Sequence, residues 1–259
     1  MKHIFVYIFM ITLVVFMVIL INKNQNTIQP KLLSVNTYYS YLDEIGEDCY
    51  IDFYLNTKDH PMVDVNSYQN LKLHNQEYSK SIELELNNVI FLHQETYLNE
   101  TYYKYSYVFN MPLLGYDFDI ESSYLEISLV NEDLYDIFIG SISFKTIDED
   151  ESFINWTALS GRKEDNQYLS RLYEIDIEYN ELLDDIKQIS VGNLFNVSFE
   201  VYDEIIKITI PYKNELFYAC PIFITFDDNQ INTINYFVYM KDYETLKQSG
   251  QLIYHYALN

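Results

Sequence analysis

The feature that most restricts the fold of this chain is a two-residue alternation of apolar and polar side chains, carried by short segments and repeated along most of its length. Tyr50-Ile51-Asp52-Phe53-Tyr54-Leu55, Ser81-Ile82-Glu83-Leu84-Glu85-Leu86 and Tyr124-Leu125-Glu126-Ile127-Ser128-Leu129 all show it. Successive side chains of a strand point to opposite faces, so this pattern marks strands buried on one side. Such segments recur every 8 to 12 residues up to Ile147, the rhythm of an antiparallel sandwich or barrel. Asn131-Glu132-Asp133 and Asp227-Asp228-Asn229-Gln230 read as hairpin turns. Asn87-Asn88 reads as a third, between strands at 81–86 and 89–92, because asparagine tolerates positive φ.

The rhythm breaks at Asp148-Glu149-Asp150-Glu151 and the polar stretch after it, and strands resume later. Between Tyr168 and Ile189 the apolar spacing is mixed. It predicts a strand near 172–179 followed by a short helix near 181–189. Further strands are expected at 194–202, 205–211, 217–226, 231–240 and 252–258, with one helical turn at 240–247 ended by Gly250.

Ahead of all this, Ile4 to Ile21 contains no charged residue, and Thr12 is its only polar side chain. Eighteen helical residues nearly cross a hydrocarbon core of about 30 Å. The run exceeds a signal-peptide core, and no small-residue cleavage pattern follows it, so it reads as an uncleaved signal anchor. Lys2 and Lys23 nearly cancel as topology signals, and export of the bulk of the chain is the favoured orientation.

The expected architecture is therefore mainly β: a transmembrane helix followed by two antiparallel β-sandwich-like domains, immunoglobulin-like or jelly-roll in plan, with one or two short helices. The divisions are 1–21 for the anchor, 22–37 for a polar tether, 38–147 for the first domain, 148–167 for an acidic linker and 168–259 for the second domain.

Charge and motifs narrow the function. The chain has 16 Lys+Arg against 39 Asp+Glu, a formal charge of −23, and its only arginines are Arg162 and Arg171. A polyanion needs clustered basic residues to displace its counterions, so nucleic acid is excluded as a partner. The six glycines are isolated, which removes phosphate-cradling loops. His60, His74, His93 and His255 match no zinc spacing. Cys49 and Cys220 are too few for a disulfide framework and read as two buried thiols.

Two weak sites remain. Tyr103, Tyr105 and Tyr107, with Phe109, share one face of a strand and could stack on a ligand if that face is open. Asp117, Asp119 and Glu121 place oxygens at alternate positions, as the first half of a calcium loop does. Ser122 and Ser128 then stand where that loop needs a glycine and a glutamate. No cofactor is required, and calcium is the one ion the pattern admits. These readings describe a single-pass, extracytoplasmic binding or accessory protein at the cell membrane, with another membrane or surface protein as partner. The alternative is an anchored hydrolase of the glycosidase type, using two of the many carboxylates on a cell-surface polymer.

Overall fold

A computed structural model of the chain describes residues 12–13, 29–146, 154–163, 172–182, 185–194, 197–212, 215–227, 229–238 and 245–259. The anchor segment 4–21 and the first part, 22–28, of the tether expected at 22–37 lie outside the described residues except for Thr12 and Leu13. Among the described residues no helix is long and apolar enough to cross a membrane.

The protein is mainly β, in several sheets that are antiparallel apart from two parallel pairings. The strands of the first half are β1 (Lys31–Val35), β2 (Thr37–Leu42), β3 (Asp48–Leu55), β4 (Tyr68–Asn75), β5 (Ser81–Glu83), β6 (Leu86–Tyr97), β7 (Glu100–Asn110), β8 (Phe118–Leu129) and β9 (Leu134–Lys145). Those of the second half are β10 (Ile154–Lys163), β11 (Leu172–Leu182), β12 (Ile186–Val191), β13 (Ser198–Tyr202), β14 (Ile205–Thr209), β15 (Leu216–Phe226) and β16 (Ile231–Val238). The short helix α1 (Thr245–Ser249) and β17 (Ile253–Ala257) complete the chain.

In the first half, a sheet ordered β17-β1-β3-β7-β6 faces one ordered β2-β9-β8-β4-β5. Ile51, Phe53, Tyr107 and Phe109 from the former meet Leu73, Leu125, Ile137 and Phe144 from the latter in one core. In the second half, β10-β11-β14-β13 faces β12, β15 and β16. There Ile175, Ile177, Ile206 and Ile208 pack with Ile189, Val191, Ile222 and Ile224 in a second core. A third, smaller cluster forms where Leu246 and Leu252 cover Leu33, Tyr54 and Tyr102.

Two strands tie the halves together. β2 runs parallel to β9 on one flank and parallel to β15 on the other, and all six of its residues are buried. β17, the last strand, pairs antiparallel with β1, the first.

The two tight turns at 131–133 and 227–230 stand where their residues place them, and Glu132 and Asn229 adopt positive φ. Four local expectations differ from the structure. The tether expected at 22–37 is strand over residues 31–35, where β1 buries Leu32 and Leu33. Asn87-Asn88 is not a hairpin: β5 pairs with β4 and β6 with β7, so the chain changes sheets at Leu84-Glu85 and runs on along β6 through the asparagines, with a register shift between Leu86 and Asn88. Leu84 buried in the core and the Asn110 N–H donated to the Glu85 carbonyl fix that crossing. The segment expected as a helix near 181–189 is instead the end of β11 and the start of β12, because Ile189 and Val191 are needed opposite Ile224 and Ile222. Within the stretch 148–167 expected as linker, residues 154–163 form β10. On this edge strand Asn155, Thr157, Ser160 and Arg162 are exposed, and among its described side chains only Ile154 is deeply buried. Residues 148–153 and 164–167 lie outside the described residues.

The C-terminus is pinned through His60. Its Nδ1 accepts from the Met62 N–H, so Nε2 carries the hydrogen toward the Asn259 carbonyl 3.3 Å away. Burial pulls the His60 pKa below the ordinary value of about 6.5, and the Asn259 contact and Asp133 only partly oppose this. The unfolded chain then binds a proton that the folded chain resists. Stability from this site is complete above about pH 6.5, declines as pH falls through that value, and levels off below the folded pKa. Melting temperature measured from pH 8 to pH 5 is expected to fall less steeply for His60→Asn than for the unaltered protein. Parallel curves would refute the assignment.

Candidate functional site

The outward side of the β5-β4-β8-β9 sheet is built by register. Leu71, Leu73, Leu125, Ile127 and Ile137 point inward to the core, so the alternate residues point out. Cross-strand pairing sets His74 beside Tyr124 and Tyr124 beside Phe138, which makes a row of rings across three strands. A second row, two residues along each strand and so about 7 Å away, runs Glu83, Lys72, Glu126, Asp136.

The ring row is extended at both ends. The Tyr78 ring, from the β4–β5 turn, lies over the His74 ring with centroids 3.8 Å apart and planes 10° from parallel. Tyr254 of β17 packs on Phe138 at 4.6 Å. Between them, His74 to Tyr124 is 5.8 Å and Tyr124 to Phe138 is 5.3 Å. Tyr78 and Tyr254 are 49 % and 40 % exposed, whereas His74 is almost fully covered. Five aromatic residues thus form a continuous strip that is open mainly at its two ends.

The polar groups around the strip are fixed. His74 Nδ1 donates to the Asn75 carbonyl, and its Nε2 lies 3.1 Å from Asp136 Oδ1. The Tyr78 hydroxyl donates to Glu126 Oε2 at 3.1 Å, and the Lys72 ammonium stands 5.6 Å from the Tyr78 ring. Partial burial, then the bond to Glu126 and the charge of Asp136, raise the Tyr78 phenol above its ordinary pKa, so it stays a donor. The arrangement offers apolar ring surface alongside carboxylate acceptors. It can stack against a ligand's C–H face while accepting hydrogen bonds from hydroxyls.

The sites read from the sequence fall elsewhere. Tyr103, Tyr105 and Tyr107 do share a face of β7, but it is the face turned into the first core. Tyr107 is fully buried and donates to the Met62 carbonyl, Tyr105 is 6 % exposed, and only Tyr103 is half-buried, beneath the Lys58 ammonium at 4.6 Å. The tyrosine alternation is a packing pattern, since the opposite sheet covers it.

Asp117 and Asp119 are brought together, but around an ammonium group. Lys145 Nζ lies 3.1 Å from one carboxylate and 2.9 Å from the other, while Thr146 donates to Asp117 through its N–H and its hydroxyl. Burial alone would raise the Asp117 pKa, but the Thr146 and Lys145 bonds outweigh it and hold the carboxyl below the usual range. Glu121 sits in a register shift of β8, exposed and apart from them. The lysine occupies the position the sequence reading gave to calcium. Among the described residues no group of three or more His, Cys, Asp or Glu is placed to hold a metal.

Cys49 and Cys220 are free thiols, one in each main core. Burial pushes both upward, Cys220 to about 12, so neither is a ready nucleophile.

Sequence reasoning missed His74, Tyr78, Phe138 and Tyr254. Tyr124 and Phe138 had a usable signal, because each takes the outward phase of a strand whose inward phase is aliphatic. Their meeting with His74 and Tyr254 depends on pairings between distant segments.

No protein-family model matches the chain, and no curated protein matches it. Among solved structures, one similar chain is the Bacteroides ovatus mixed-linkage glucan utilization locus SGBP-B in complex with a mixed-linkage heptasaccharide, at 10 % identity and TM-score 0.21. The match covers 76 % of this chain and 41 % of that one, so this chain spans under half of its length. The fibronectin(III)-like modules of Clostridium thermocellum CbhA match at 10 % identity and TM-score 0.20, covering 78 % and 90 % of the two chains. The sialic acid binding region of a Streptococcus sanguinis adhesin matches at 7 % identity and TM-score 0.20, covering 80 % and 76 %.

Proposed function

We propose that this protein is a non-enzymatic binding module, held on the outer side of a membrane by residues 4–21, that recognises a neutral, hydroxyl-rich polymer through the aromatic strip. The observation that carries the reading is the strip itself: two exposed rings joined by a continuous row, with a parallel row of three carboxylates and Lys72 one side-chain step away. Pyranose rings present a C–H face to aromatics and hydroxyls to acceptors, which suits both rows at once. A chain of formal charge −23 repels anionic polymers, so a neutral glycan is the favoured class.

Two immunoglobulin-type sandwiches in tandem are the architecture this reading uses, and the strand orders support it. The second half has four strands ordered first-second-fifth-fourth against the third, sixth and seventh, the constant-type arrangement. In the first half the comparable order is β1-β3-β7-β6 against β2-β9-β8-β4-β5. Rigid sandwiches of this kind present sheet faces and loops for recognition. The anchor would keep the module close to surface ligands.

The test uses intact cells displaying the chain and a panel of neutral and acidic polysaccharides on beads. Intact cells are expected to retain a neutral polymer. Replacing Tyr78→Ala together with Tyr254→Ala should weaken binding about thirtyfold, taking about 1 kcal/mol for each stacked ring. Binding that is seen only after lysis would refute the outward orientation. Binding indifferent to both substitutions would refute the surface, and release of shortened polymer would replace binding with hydrolysis.

A further inference from the structure

We propose that the free edge of β6 is a docking site for an extended strand of a partner protein, apolar at its centre and basic at the end that meets the start of β6. β6 belongs to the other sheet of the first half, and the surface shares only Glu83 with the polar row beside the aromatic strip.

β6 is twelve residues long and ends the sheet β17-β1-β3-β7-β6, and among the described residues it pairs only with β7. Natural sheets blunt such edges with charge, proline or brevity. The other edges of the first half follow that rule, since β5 has three residues and β17 has five. β6 does not: residues 86–94 contain no Asp, Glu, Lys, Arg or Pro. Ile90, Phe91 and Leu92 are 41 %, 47 % and 41 % exposed. Consecutive strand residues face opposite ways, so apolar surface is open on both sides of the strand. Register shifts after Leu86 and after Phe91 leave residues 88–91 in regular pairing with β7, a short straight template. The Lys58 ammonium, 5.1 Å from the Phe91 ring, borders it on one side.

The flanks specify the occupant. Where β6 begins, a groove of about 340 Å³ is lined by Val65, Tyr68, Leu71 and Leu84, with Glu83 and Glu85 exposed at its rim. Toward the far end of β6 the acidic groups are already engaged: buried Glu95 lies 2.9 Å from His93 Nε2 and accepts from the Leu246 N–H at 2.8 Å, and Glu100 of β7 is paired with Lys31. Strand addition draws affinity from the main chain and specificity from pockets and flanking charge. An added strand therefore covers Ile90 to Leu92 with apolar side chains and meets Glu83 and Glu85 with basic ones. A second copy of this protein is the poorer occupant, because its own β6 has no Lys or Arg from Leu86 to Tyr97 to meet Glu83 and Glu85.

The experiment measures fluorescence anisotropy with the full chain in a nonionic detergent at about 0.15 M salt. Three labelled ten-residue peptides are compared. The first alternates valine and threonine between pairs of lysines, the second has glutamates for the lysines, and the third keeps the lysines but has prolines within the centre. The lysine-flanked strand is expected to bind at least about tenfold more tightly than either control. Ile90→Lys with Leu92→Lys should weaken it by a similar factor without changing the melting temperature. Equal binding of the proline-containing peptide, which retains the charge but cannot pair, would overturn the proposal. So would indifference to the double substitution, or peptide-free self-association in sedimentation that the double substitution abolishes.

Discussion

Gly140→Ala is expected to lower the melting temperature by roughly 10 °C. Gly140 has φ of +112°, and a Cβ there would stand 2.2 Å from the Thr37 carbonyl oxygen and 2.4 Å from the Thr37 nitrogen. Both obstructing atoms are backbone, so no rotamer change can relieve them. Thr37 and Gly140 begin the parallel pairing of β2 with β9, and β2 is also the strand that meets β15. A methyl group at this point forces the bridging strand away from the first half while it remains bonded to the second. Left-handed strain of about 1 to 3 kcal/mol plus the displacement brings the loss above about 3 kcal/mol. At about 2 to 4 °C per kcal/mol for a chain of this size, that gives the expected shift. Gly115→Ala is the control, because Gly115 also has positive φ, at +70°, but nothing lies within 4 Å of its Cβ position. It should cost only the conformational part. Similar melting curves for the two variants would show that β2 and β9 do not meet as described.

Lys104→Ala is expected to cost about 3 to 5 kcal/mol, and this loss should vanish when the opposing charge is removed as well. The Lys104 ammonium lies 2.9 Å from Asp52 Oδ2, and their side chains are 3 % and 9 % exposed. The ammonium also stands 5.4 Å from the Tyr54 ring, within cation–π reach. Truncating the lysine leaves the Asp52 carboxylate in a dry setting without its counter-charge, which costs far more than the intact pair contributes. Lys104→Met combined with Asp52→Leu replaces both charges with apolar volume and should melt within a few degrees of the unaltered protein. A single variant as stable as the double one would mean that water reaches Asp52 and that the pair is not buried.

The same two residues show where reading the sequence stops. Alternation in Thr101 to Phe109 assigns Tyr103, Tyr105, Tyr107 and Phe109 to one face and Lys104 and Ser106 to the other, and the structure keeps that division. It does not keep the environments. The tyrosine face is the core, and the lysine face is covered in turn by α1 and Leu252, so Lys104 is buried with its partner from β3. Tyr124 and Phe138 show the converse, since they take the outward phase of their strands and remain partly open.

What the sequence determined by itself was local. The two-residue period made strands, Asn131-Glu132-Asp133 and Asp227 to Gln230 made turns, and the inward phase of β3, β8 and β15 followed from their aliphatic residues. These depend on backbone sterics and on each strand's own pattern, so they are written within a few consecutive residues. The tertiary structure decided what lies against each face. Joining β2 to β15, setting Tyr254 on Phe138 and placing Lys145 between Asp117 and Asp119 all need segments 26 to 180 residues apart in the chain. A strand pattern specifies that a face is to be covered, not by what, because burial depends only on excluding water and is indifferent to which segment does so.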